Sequence, residues 1–321
     1  MKDVRIVFMG TPEIAVESLR QILQANYTVE AVVTPPDKPS GRGLHLHESA
    51  VKQFASSQHL NILQPENLSD ESFIATIKDI NPDIIIVVAF RKIPDRLLDL
   101  PKIGSFNLHA SLLPQYRGAA PINWAIMNGE TQTGLSTFLL NNKIDEGKIL
   151  LQKIMDIMPS YNASDLYNLM KVDGAILVLD TIKMLLSGNY NSIDQQNLST
   201  DSLLLKKAPK IFKDHCRIDW NNVVVKIQNQ IRGLSYTPGA VTELISPNET
   251  TFSLKIFRSE FHFSDKKERP GSIETDNHKH LRIFASNGFL DLKEVQLSGK
   301  KMMKVDDLLR GFKISNQFIA R

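Results

Sequence analysis

Short apolar segments alternate with longer segments of helical periodicity along the first half of the chain. The apolar segments predict buried strands at residues 4–9, 28–33, 83–89 and 103–109. Residues 13–24, between the first two strands, have the spacing of an amphipathic helix, and Pro12 suits its first turn. Strands that alternate with helices are typical of a doubly wound, mostly parallel sheet, so we predict a Rossmann-like α/β fold.

The pattern changes after a long predicted helix at residues 164–186, which ends at a Ser-Gly pair. Residues 189–200 are polar and rich in Asn, Gln and Ser, as expected of a linker. We therefore predict a first domain at residues 1–188, a linker at 189–206 and a C-terminal domain at 207–321.

The C-terminal region predicts a different architecture. Its apolar segments are short and spaced by turn residues, with strands predicted at 254–257, 281–284 and 290–295 after a helix at 221–231. This spacing favours a small β-barrel of the oligonucleotide-binding type.

Length and composition exclude several classes of protein. The chain has 321 residues, of which 42% are hydrophobic and 23% charged, which suits two globular domains. No apolar run approaches the roughly 18 residues that span a bilayer, and the first residues lack a signal-peptide pattern, so we expect a cytoplasmic protein without a membrane partner. The single cysteine, Cys216, excludes an internal disulfide and a multi-cysteine zinc site. We expect no metal.

Charge is distributed unevenly along the chain. Residues 201–321 contain 21 Lys and Arg against 14 Asp and Glu, whereas residues 1–200 contain 17 against 21. A basic C-terminal region beside a slightly acidic N-terminal one suggests a surface for a polyanion such as nucleic acid, although a solvated lysine-rich surface has the same composition.

Two of the residues that best suit catalysis lie at the end of the fourth predicted strand. Asn107 and His109 are two positions apart, so both side chains point to the same side of a strand. An amide stabilises an oxyanion, and an imidazole transfers a proton. Asp145 comes later, before Glu-Gly, and is the carboxylate that can orient and charge such a histidine.

The first predicted turn, Gly10-Thr11-Pro12, lacks the G-x-G-x-x-G pattern of dinucleotide-binding proteins. Proline also removes an amide that would otherwise bind phosphate. Both features argue against a nicotinamide-dependent dehydrogenase.

Residues 35–47 are rich in turn formers and poor in apolar side chains, so we predict an irregular surface loop. Lys38 and Arg42 lie among its glycines, where the backbone can approach a ligand closely, and they suit phosphate binding. A solvated connector without a binding role is equally consistent with this composition.

Several motifs together resemble those of the methionyl-tRNA formyltransferases, a family of the 10-formyltetrahydrofolate-dependent formyltransferase superfamily. They are Phe8-Met-Gly-Thr-Pro12, the Ser111-Leu-Leu-Pro114 signature, Ile231-Arg-Gly-Leu234, Pro238-Gly-Ala240 and the Lys300-Lys301 pair. The resemblance extends over nearly the whole chain. One departure is Arg91, because the family usually has glycine after the aromatic residue that Phe90 matches.

The resemblance implies transfer of a formyl group from 10-formyltetrahydrofolate to the α-amine of methionyl initiator tRNA, for translation initiation. It implies that Asn107 and protonated His109 stabilise the oxyanion and that Asp145 keeps His109 charged, with no covalent intermediate. The residues implied in folate binding are Val88, Ala89, Phe90, Ile93, Ser111, Leu112, Leu113 and Pro114.

Charge and the resemblance together select the residues expected to bind tRNA. They are Lys38, Arg42, Lys206, Lys207, Lys210, Arg232, Lys300 and Lys301. We expect the protein to be a monomer.

Other functions stay open. Sugar-nucleotide N-formyltransferases can carry a similar second domain. A catalytically inactive relative that only binds nucleic acid would keep the basic surface, but the presence of Asn107, His109 and Asp145 argues against it. Glycinamide ribonucleotide formyltransferases are single short domains, so the additional basic domain argues against that enzyme.

Overall fold

The computed structural model describes residues 4–40, 45–198 and 205–321. The described chain divides into two compact units, neither of which is continuous in sequence. The first consists of the described residues within Met1–Gly118, Gln132–Asp156 and Tyr167–Lys207. The second consists of Ala119–Thr131, Ile157–Leu166 and Ala208–Arg321. Two short segments that precede residue 167 therefore pack with the C-terminal region.

The helices and strands follow one another in a mixed order. As far as residue 156 they are β1 (Arg5–Gly10), α1 (Glu13–Gln24), β2 (Thr28–Val33), β3 (Lys38–Ser40), β4 (His45–His47), α2 (Ala50–Ser57), β5 (Ile62–Leu63), α3 (Glu71–Ile80), β6 (Ile84–Val88), α4 (Asp95–Leu98), β7 (Gly104–His109), β8 (Arg117–Gly118), α5 (Pro121–Met127), β9 (Gln132–Leu139) and β10 (Ile149–Asp156). The remainder are α6 (Ala163–Ser187), a 3-10 helix at Gln195–Leu198, β11 (Lys207–Ala208), α7 (Lys213–Cys216), α8 (Val224–Leu234), β12 (Ala240–Ile245), β13 (Thr251–Phe263), β14 (Ile273–Thr275), β15 (Leu281–Ala285), β16 (Gly288–Leu297), β17 (Met303–Lys304), α9 (Val305–Gly311) and β18 (Ile319–Ala320).

A seven-stranded sheet forms the centre of the first unit, in the order β10-β9-β7-β6-β1-β2-β5. The strands from β5 to β7 in this order are parallel, whereas β9 and β10 run antiparallel to their neighbours. Every residue of β6 is buried, as expected of a parallel strand that is covered on both faces. This topology confirms the predicted α/β class. Open sheets of this type bind ligands beyond the carboxyl ends of their strands, where β6 and β7 lie side by side.

The second unit contains an antiparallel sheet in the order β14-β15-β16-β13-β12-β18, with β17 paired to β16. Its two outer strands, β14 and β18, approach each other. The Ala320 N–H donates to the Gly271 carbonyl oxygen at 2.8 Å, and Ser272 pairs with Ile319. The sheet is therefore nearly closed, as predicted for a small barrel. Its interior is filled by buried aliphatic side chains, among them Leu254, Ile256 and Leu290.

Close contact between α5 and α8 joins an early segment of the chain to the second unit. The Asn123 side chain donates to the Gly233 carbonyl oxygen at 2.8 Å. A Cβ atom at position 233 would lie 2.6 Å from Cγ of Met127 and 3.1 Å from the carbonyl oxygen of Asn123. Glycine is thus the residue that lets the two helices approach.

Among the elements that were predicted, the main differences are in β13, in the segment 35–47 and in α8, which begins and ends three residues later than predicted. Several observed elements, among them β9 and β10, were not predicted. α1 and β2 begin and end at the predicted residues. β13 extends to Phe263, well beyond 254–257, because its exposed second half is held by backbone pairing to β16.

The prediction of an irregular loop at 35–47 is wrong for the described part of that segment. β3 pairs with β4, with Lys38 opposite His47 and Pro39 opposite Leu46. Pro39 cannot donate a hydrogen bond to a neighbouring strand, so its presence in the sequence argued against a strand. An edge strand nevertheless tolerates proline.

α6 is the longest helix and exposes the apolar side chains Leu169, Val172 and Ile176. It also carries charged residues along its length, such as Asp173 and Lys183. Across the described ranges, no helix is both long enough and apolar enough to cross a bilayer.

The α5–α8 contact predicts opposite outcomes for two helical glycines. Gly233→Ala should lower the free energy of unfolding by about 1–3 kcal/mol, because the added methyl overlaps α5. Gly311→Ala is the matched control, since a Cβ there meets open space, and it should be neutral or stabilise by up to about 1 kcal/mol. Urea denaturation of both variants measures the difference, and equal stabilities would contradict the packing argument.

Candidate active site

The carboxyl end of β7 carries Asn107 and His109. In the sheet, Asn107 lies opposite Val87 of β6 and Phe138 of β9, and His109 lies opposite Ser136. The Asn107 side chain is half-buried and has no hydrogen-bond partner among the described residues. Polar groups inside a protein are normally paired. The N–H groups and the oxygen of this amide are not used by the described residues, so they are available to a ligand.

The imidazole of His109 is 7% exposed and has an oxygen atom near each ring nitrogen. Nε2 lies 2.9 Å from the carbonyl oxygen of Tyr116. A carbonyl only accepts, so Nε2 donates in this hydrogen bond. Nδ1 lies 3.9 Å from Oδ2 of Asp145, which is longer than a hydrogen bond. The structure thus brings His109 and Asp145 together, as predicted from the residue types.

Asp145 sits in a sharp turn with φ of 56°, in the left-handed region. Its Oδ2, the atom nearest His109, accepts a 3.0 Å hydrogen bond from the backbone N–H of Gly118. This donor was not predicted, because any residue except proline supplies a backbone N–H and the sequence gives no sign of its direction.

The turn after Asp145 requires a glycine at position 147. It is buried, and a Cβ atom at this position would overlap the carbonyl oxygen of Leu139. Any side chain here would push the Asp145 turn away from β9.

A second group missed by the sequence analysis is Gln195, which is 2% exposed. Its amide nitrogen donates to the carbonyl oxygens of Asp145 and Gly147, at 2.9 and 2.7 Å. Its oxygen accepts from Nε and an Nη atom of Arg117, at 3.0 and 2.7 Å. The residue lies in the polar tract predicted as linker, where glutamine is ordinarily a surface residue.

The Ser111–Pro114 signature forms a tightly bonded turn. The buried Ser111 hydroxyl donates to the Gln115 carbonyl oxygen at 2.6 Å. Ser136 of β9 accepts from the Leu113 N–H and donates to the Ser111 carbonyl oxygen, at 3.0 and 2.7 Å. Leu112 is half-buried, and Leu113 and Pro114 are buried. The signature therefore shapes the backbone beside His109, and Ser136 was missed by the sequence analysis.

The predicted folate residues after β6 fall into two groups. Val88 and Ile93 are 1% and 5% exposed, and Ile93 belongs to the core cluster around Leu97. Ala89 is exposed, with φ of 48°, and Phe90 is half-buried against the same cluster. Ala89 and Phe90 are thus accessible at the end of β6, whereas Val88 and Ile93 lie in the core.

Arg91, the departure from the family pattern, is exposed and lies over the Phe90 ring, with 5.6 Å from Cζ to the ring centroid. Its guanidinium donates to the carbonyl oxygens of Pro65 and Glu66. The arginine therefore ties the turn after β5 to the turn after β6.

The predicted tRNA residues are mostly exposed lysines. Lys38, Lys206, Lys207, Lys210, Lys300 and Lys301 all lie on the surface of the described chain. Lys38, Lys207, Lys300 and Lys301 form no ion pair with another described residue, so their charges are available to a polyanion. Arg42 lies outside the described residues.

Arg232 differs from these lysines because its guanidinium serves the fold. Nε donates to the Asn229 side chain at 2.8 Å, and one terminal nitrogen donates to the Tyr161 carbonyl oxygen at 2.9 Å. Burial lowers the pKa of this group. Arg232 therefore braces α8 and has fewer donors left for phosphate than sequence alone indicates.

Cys216 and one group of possible metal ligands lie in the second unit. Burial raises the pKa of the Cys216 thiol, which disfavours the reactive thiolate. Among the described residues, Glu260, His262 and Asp291 could place ligand atoms within 4.8 Å of one another. The Lys293 ammonium, however, already lies 3.1 Å from Glu260 and 2.7 Å from Asp291, and supplies the positive charge there.

The bonding of Ser111 predicts a structural role for its hydroxyl. Ser111→Ala removes the hydrogen bond from this hydroxyl to the Gln115 carbonyl oxygen, so it should lower the free energy of unfolding by about 0.5–1.5 kcal/mol in urea denaturation. The exposed Ser160→Ala is the control and should have little effect. A fluorophosphonate reagent should not label the native protein, and stoichiometric labelling at Ser111 would contradict this prediction.

The chain is similar to known proteins along nearly its whole length. Residues 4–182 match the family model described as formyl transferase, and residues 210–313 match the model described as formyl transferase, C-terminal domain. A methionyl-tRNA formyltransferase of Bacteroides thetaiotaomicron is 45% identical over 99% of this chain and 98% of its own length. One of Parabacteroides distasonis is 47% identical over 97% of each chain.

A solved structure shows the same fold. It is an N-formyltransferase from Helicobacter canadensis in complex with folinic acid and dTDP-3-aminofucose, with 22% identity, a TM-score of 0.62, and coverage of 90% of this chain and 98% of that one. At this identity the likeness concerns architecture alone. The family models and the full-length relatives lead to one conclusion: the chain belongs to the formyl transferase family.

Proposed function

We propose that this protein transfers the formyl group of 10-formyltetrahydrofolate to the free α-amine of methionyl initiator tRNA. The observation that carries the proposal is the unpaired Asn107 amide beside His109, which in turn faces Asp145. The full-length similarity to two proteins named methionyl-tRNA formyltransferase selects the acceptor. The product is formylmethionyl-tRNA, which serves translation initiation in the cytoplasm.

The donor is expected at the carboxyl ends of β6 and β7. A structural relative binds folinic acid, which supports a folate-type donor for this chain. Ala89 and Phe90 lie at the end of β6, and the Ser111–Pro114 turn follows β7. Ring systems bind in largely apolar clefts with a few fixed polar groups, which these two turns can provide.

The chemistry is direct acyl transfer. The neutral amine attacks the formyl carbon and a tetrahedral oxyanion forms. The C–N10 bond then breaks as the proton lost by the attacking amine is transferred to N10. Asn107 donates a hydrogen bond to the oxyanion, and positively charged His109 stabilises it. Asp145 offsets the charge of His109 and keeps the ring oriented. No residue becomes covalently attached to the formyl group.

This mechanism places one requirement on His109. In the present geometry Nε2 already donates to the Tyr116 carbonyl oxygen at 2.9 Å. To bind the oxyanion through Nε2, the ring must exchange that carbonyl for the substrate oxygen. Catalytic hydrogen bonds commonly reach their final geometry only when the substrate is bound.

The acceptor is proposed to lie against the exposed lysines and Arg42. Lys38, Lys207, Lys300 and Lys301 form no ion pair within the described part of the chain. Lysine contacts to phosphate position a nucleic acid without reading its sequence. We also propose that the protein acts as a monomer, with a catalytic domain at 1–188, a linker at 189–206 and a tRNA-binding domain at 207–321. The limits of the two family matches support this division.

A sugar nucleotide is the second candidate acceptor, because the Helicobacter canadensis relative is described with dTDP-3-aminofucose. That likeness rests on 22% identity, against 45% and 47% for the relatives named for tRNA. We therefore rank it below methionyl-tRNA.

The mechanism predicts large losses from three substitutions. Asn107→Ala, His109→Ala and Asp145→Asn should each lower kcat by about 100-fold or more, because each group acts on the same transition state. Asn142→Ala is the matched control, since this asparagine is exposed near the Asp145 turn. Steady-state kinetics on folded protein measure the effect, and near-normal turnover by His109→Ala would refute the mechanism.

Acceptor identity is tested by competition. Methionyl initiator tRNA, a dTDP-amino sugar and glycinamide ribonucleotide are offered with 10-formyltetrahydrofolate, and we expect formylation of the tRNA.

The apparent affinity for tRNA should fall steeply with salt, because each neutralised phosphate releases counterions. Arg42→Ala and Lys38→Ala should weaken tRNA use without changing folate binding, whereas Lys78→Ala on α3 should not. Salt-independent formylation of the amino sugar would replace tRNA with a sugar-nucleotide acceptor, and no turnover of any acceptor would favour an inactive relative.

A further inference from the structure

Gln195 lies in a segment whose composition indicates an exposed linker, yet the structure buries it almost completely. Ile193, two residues earlier, exchanges two backbone hydrogen bonds with Ile149 of β10, both of 2.8 Å. This pairing fixes the segment against the first unit. The 3-10 helix that begins at Gln195 then turns the amide inwards.

All hydrogen-bonding capacity of the Gln195 amide is used at one place. Both N–H bonds are directed to the Asp145 turn, at the carbonyl oxygens of Asp145 and Gly147. Both acceptor positions of the oxygen are taken by Arg117. A buried amide that satisfies four hydrogen bonds has a defined orientation, and it fixes its partners in turn.

Arg117 and Asp145 are also linked through Gly118. Arg117 precedes Gly118 in β8, and the Gly118 N–H donates to Oδ2 of Asp145 at 3.0 Å. The Arg117 guanidinium further lies 3.6 Å from Glu146. These contacts form a closed ring of four residues: Gln195, Arg117, Gly118 and Asp145. Asp145 is bound twice in it, at its backbone carbonyl oxygen by Gln195 and at its carboxylate by the Gly118 N–H.

We propose that Gln195 is a positioning residue for the transfer reaction, because it fixes the Asp145 carboxylate relative to His109. The inference rests on the proposed function, in which Asp145 supports a charged His109. Gln195 itself touches neither substrate nor the reacting atoms in this scheme. Its effect on the reaction passes through the Asp145 turn and the Gly118 N–H.

Glutamate is the substitution that separates the two halves of this amide. Gln195→Glu has nearly the same shape and still accepts from Arg117, with a charge-assisted hydrogen bond. It has no N–H to donate, so carboxylate oxygen would face the carbonyl oxygens of Asp145 and Gly147. The substitution thus keeps the Arg117 contacts and releases the turn. Gln196→Glu is the matched control, because Gln196 is the exposed neighbour and the change of charge is identical.

The first test is kinetic. Gln195→Glu should lower kcat by about 10-fold or more while the KM values for donor and acceptor stay within about threefold, since the loss arises at the transition state. Gln196→Glu should behave as wild type. In the Asp145→Asn background, Gln195→Glu should have little further effect, because groups that act as one unit are strongly non-additive. An undiminished effect in that background, or a normal kcat for Gln195→Glu, would overturn the proposal.

The second test needs no knowledge of the acceptor. Amide hydrogen exchange on the full-length protein should show faster exchange of the Gly118 N–H in Gln195→Glu than in Gln196→Glu, because the Asp145 carboxylate no longer holds it. Unchanged protection of Gly118 would overturn the positioning argument even if kcat fell. If wild-type protein formylated a different acceptor, the proposed function would fail but the positioning argument could still be tested. The kinetic test would then use that acceptor, and the exchange test would be unchanged.

Discussion

Asp145 adopts a backbone conformation that residues other than glycine rarely occupy, and the geometry of the candidate site depends on how that conformation is maintained. A left-handed residue costs about 1–2 kcal/mol, whereas each hydrogen bond contributes about 1 kcal/mol. The turn receives three hydrogen bonds, one from Gly118 and two from Gln195. They outweigh the strain, and Gly147 allows the turn to lie directly against β9. These contacts hold the turn in which the Asp145 carboxylate lies 3.9 Å from Nδ1 of His109.

Much of the fold could be predicted because the determining signals are local. α1 shows helical periodicity, and β2 and β6 are apolar segments, so neighbouring residues suffice to identify them. The second half of β13 gives no such signal, since its side chains are exposed and its stability comes from pairing with β16, which is distant in sequence. The packing of α5 with α8 is hidden for the same reason, because it depends on the absence of a side chain at Gly233.

The candidate site divides along a similar line. Asn107, His109 and Asp145 were predicted because amide, imidazole and carboxylate each have a recognisable chemistry, and their strand spacing and motif context pointed to one place. The groups that hold them were missed. Gly118 acts through a backbone N–H, Ser136 through an ordinary strand hydroxyl, and Gln195 lies in a tract whose composition suggests a solvated linker. Arg232 was selected for its charge, which does not indicate that its guanidinium forms hydrogen bonds within the fold.

The assignment of residues 119–131 to the second unit has a consequence for synthesis on the ribosome. Ile122 and Ile126 of α5 are buried in the finished protein, but α8, which packs on this helix, emerges about one hundred residues later. Translation proceeds at roughly 5–20 residues per second, so α5 stays incompletely covered for several seconds after it leaves the exit tunnel. The barrel waits longer still, because the strand that brings its edges together ends at residue 320. The apolar side of α5 is therefore completely buried only after most of the second unit has been synthesised.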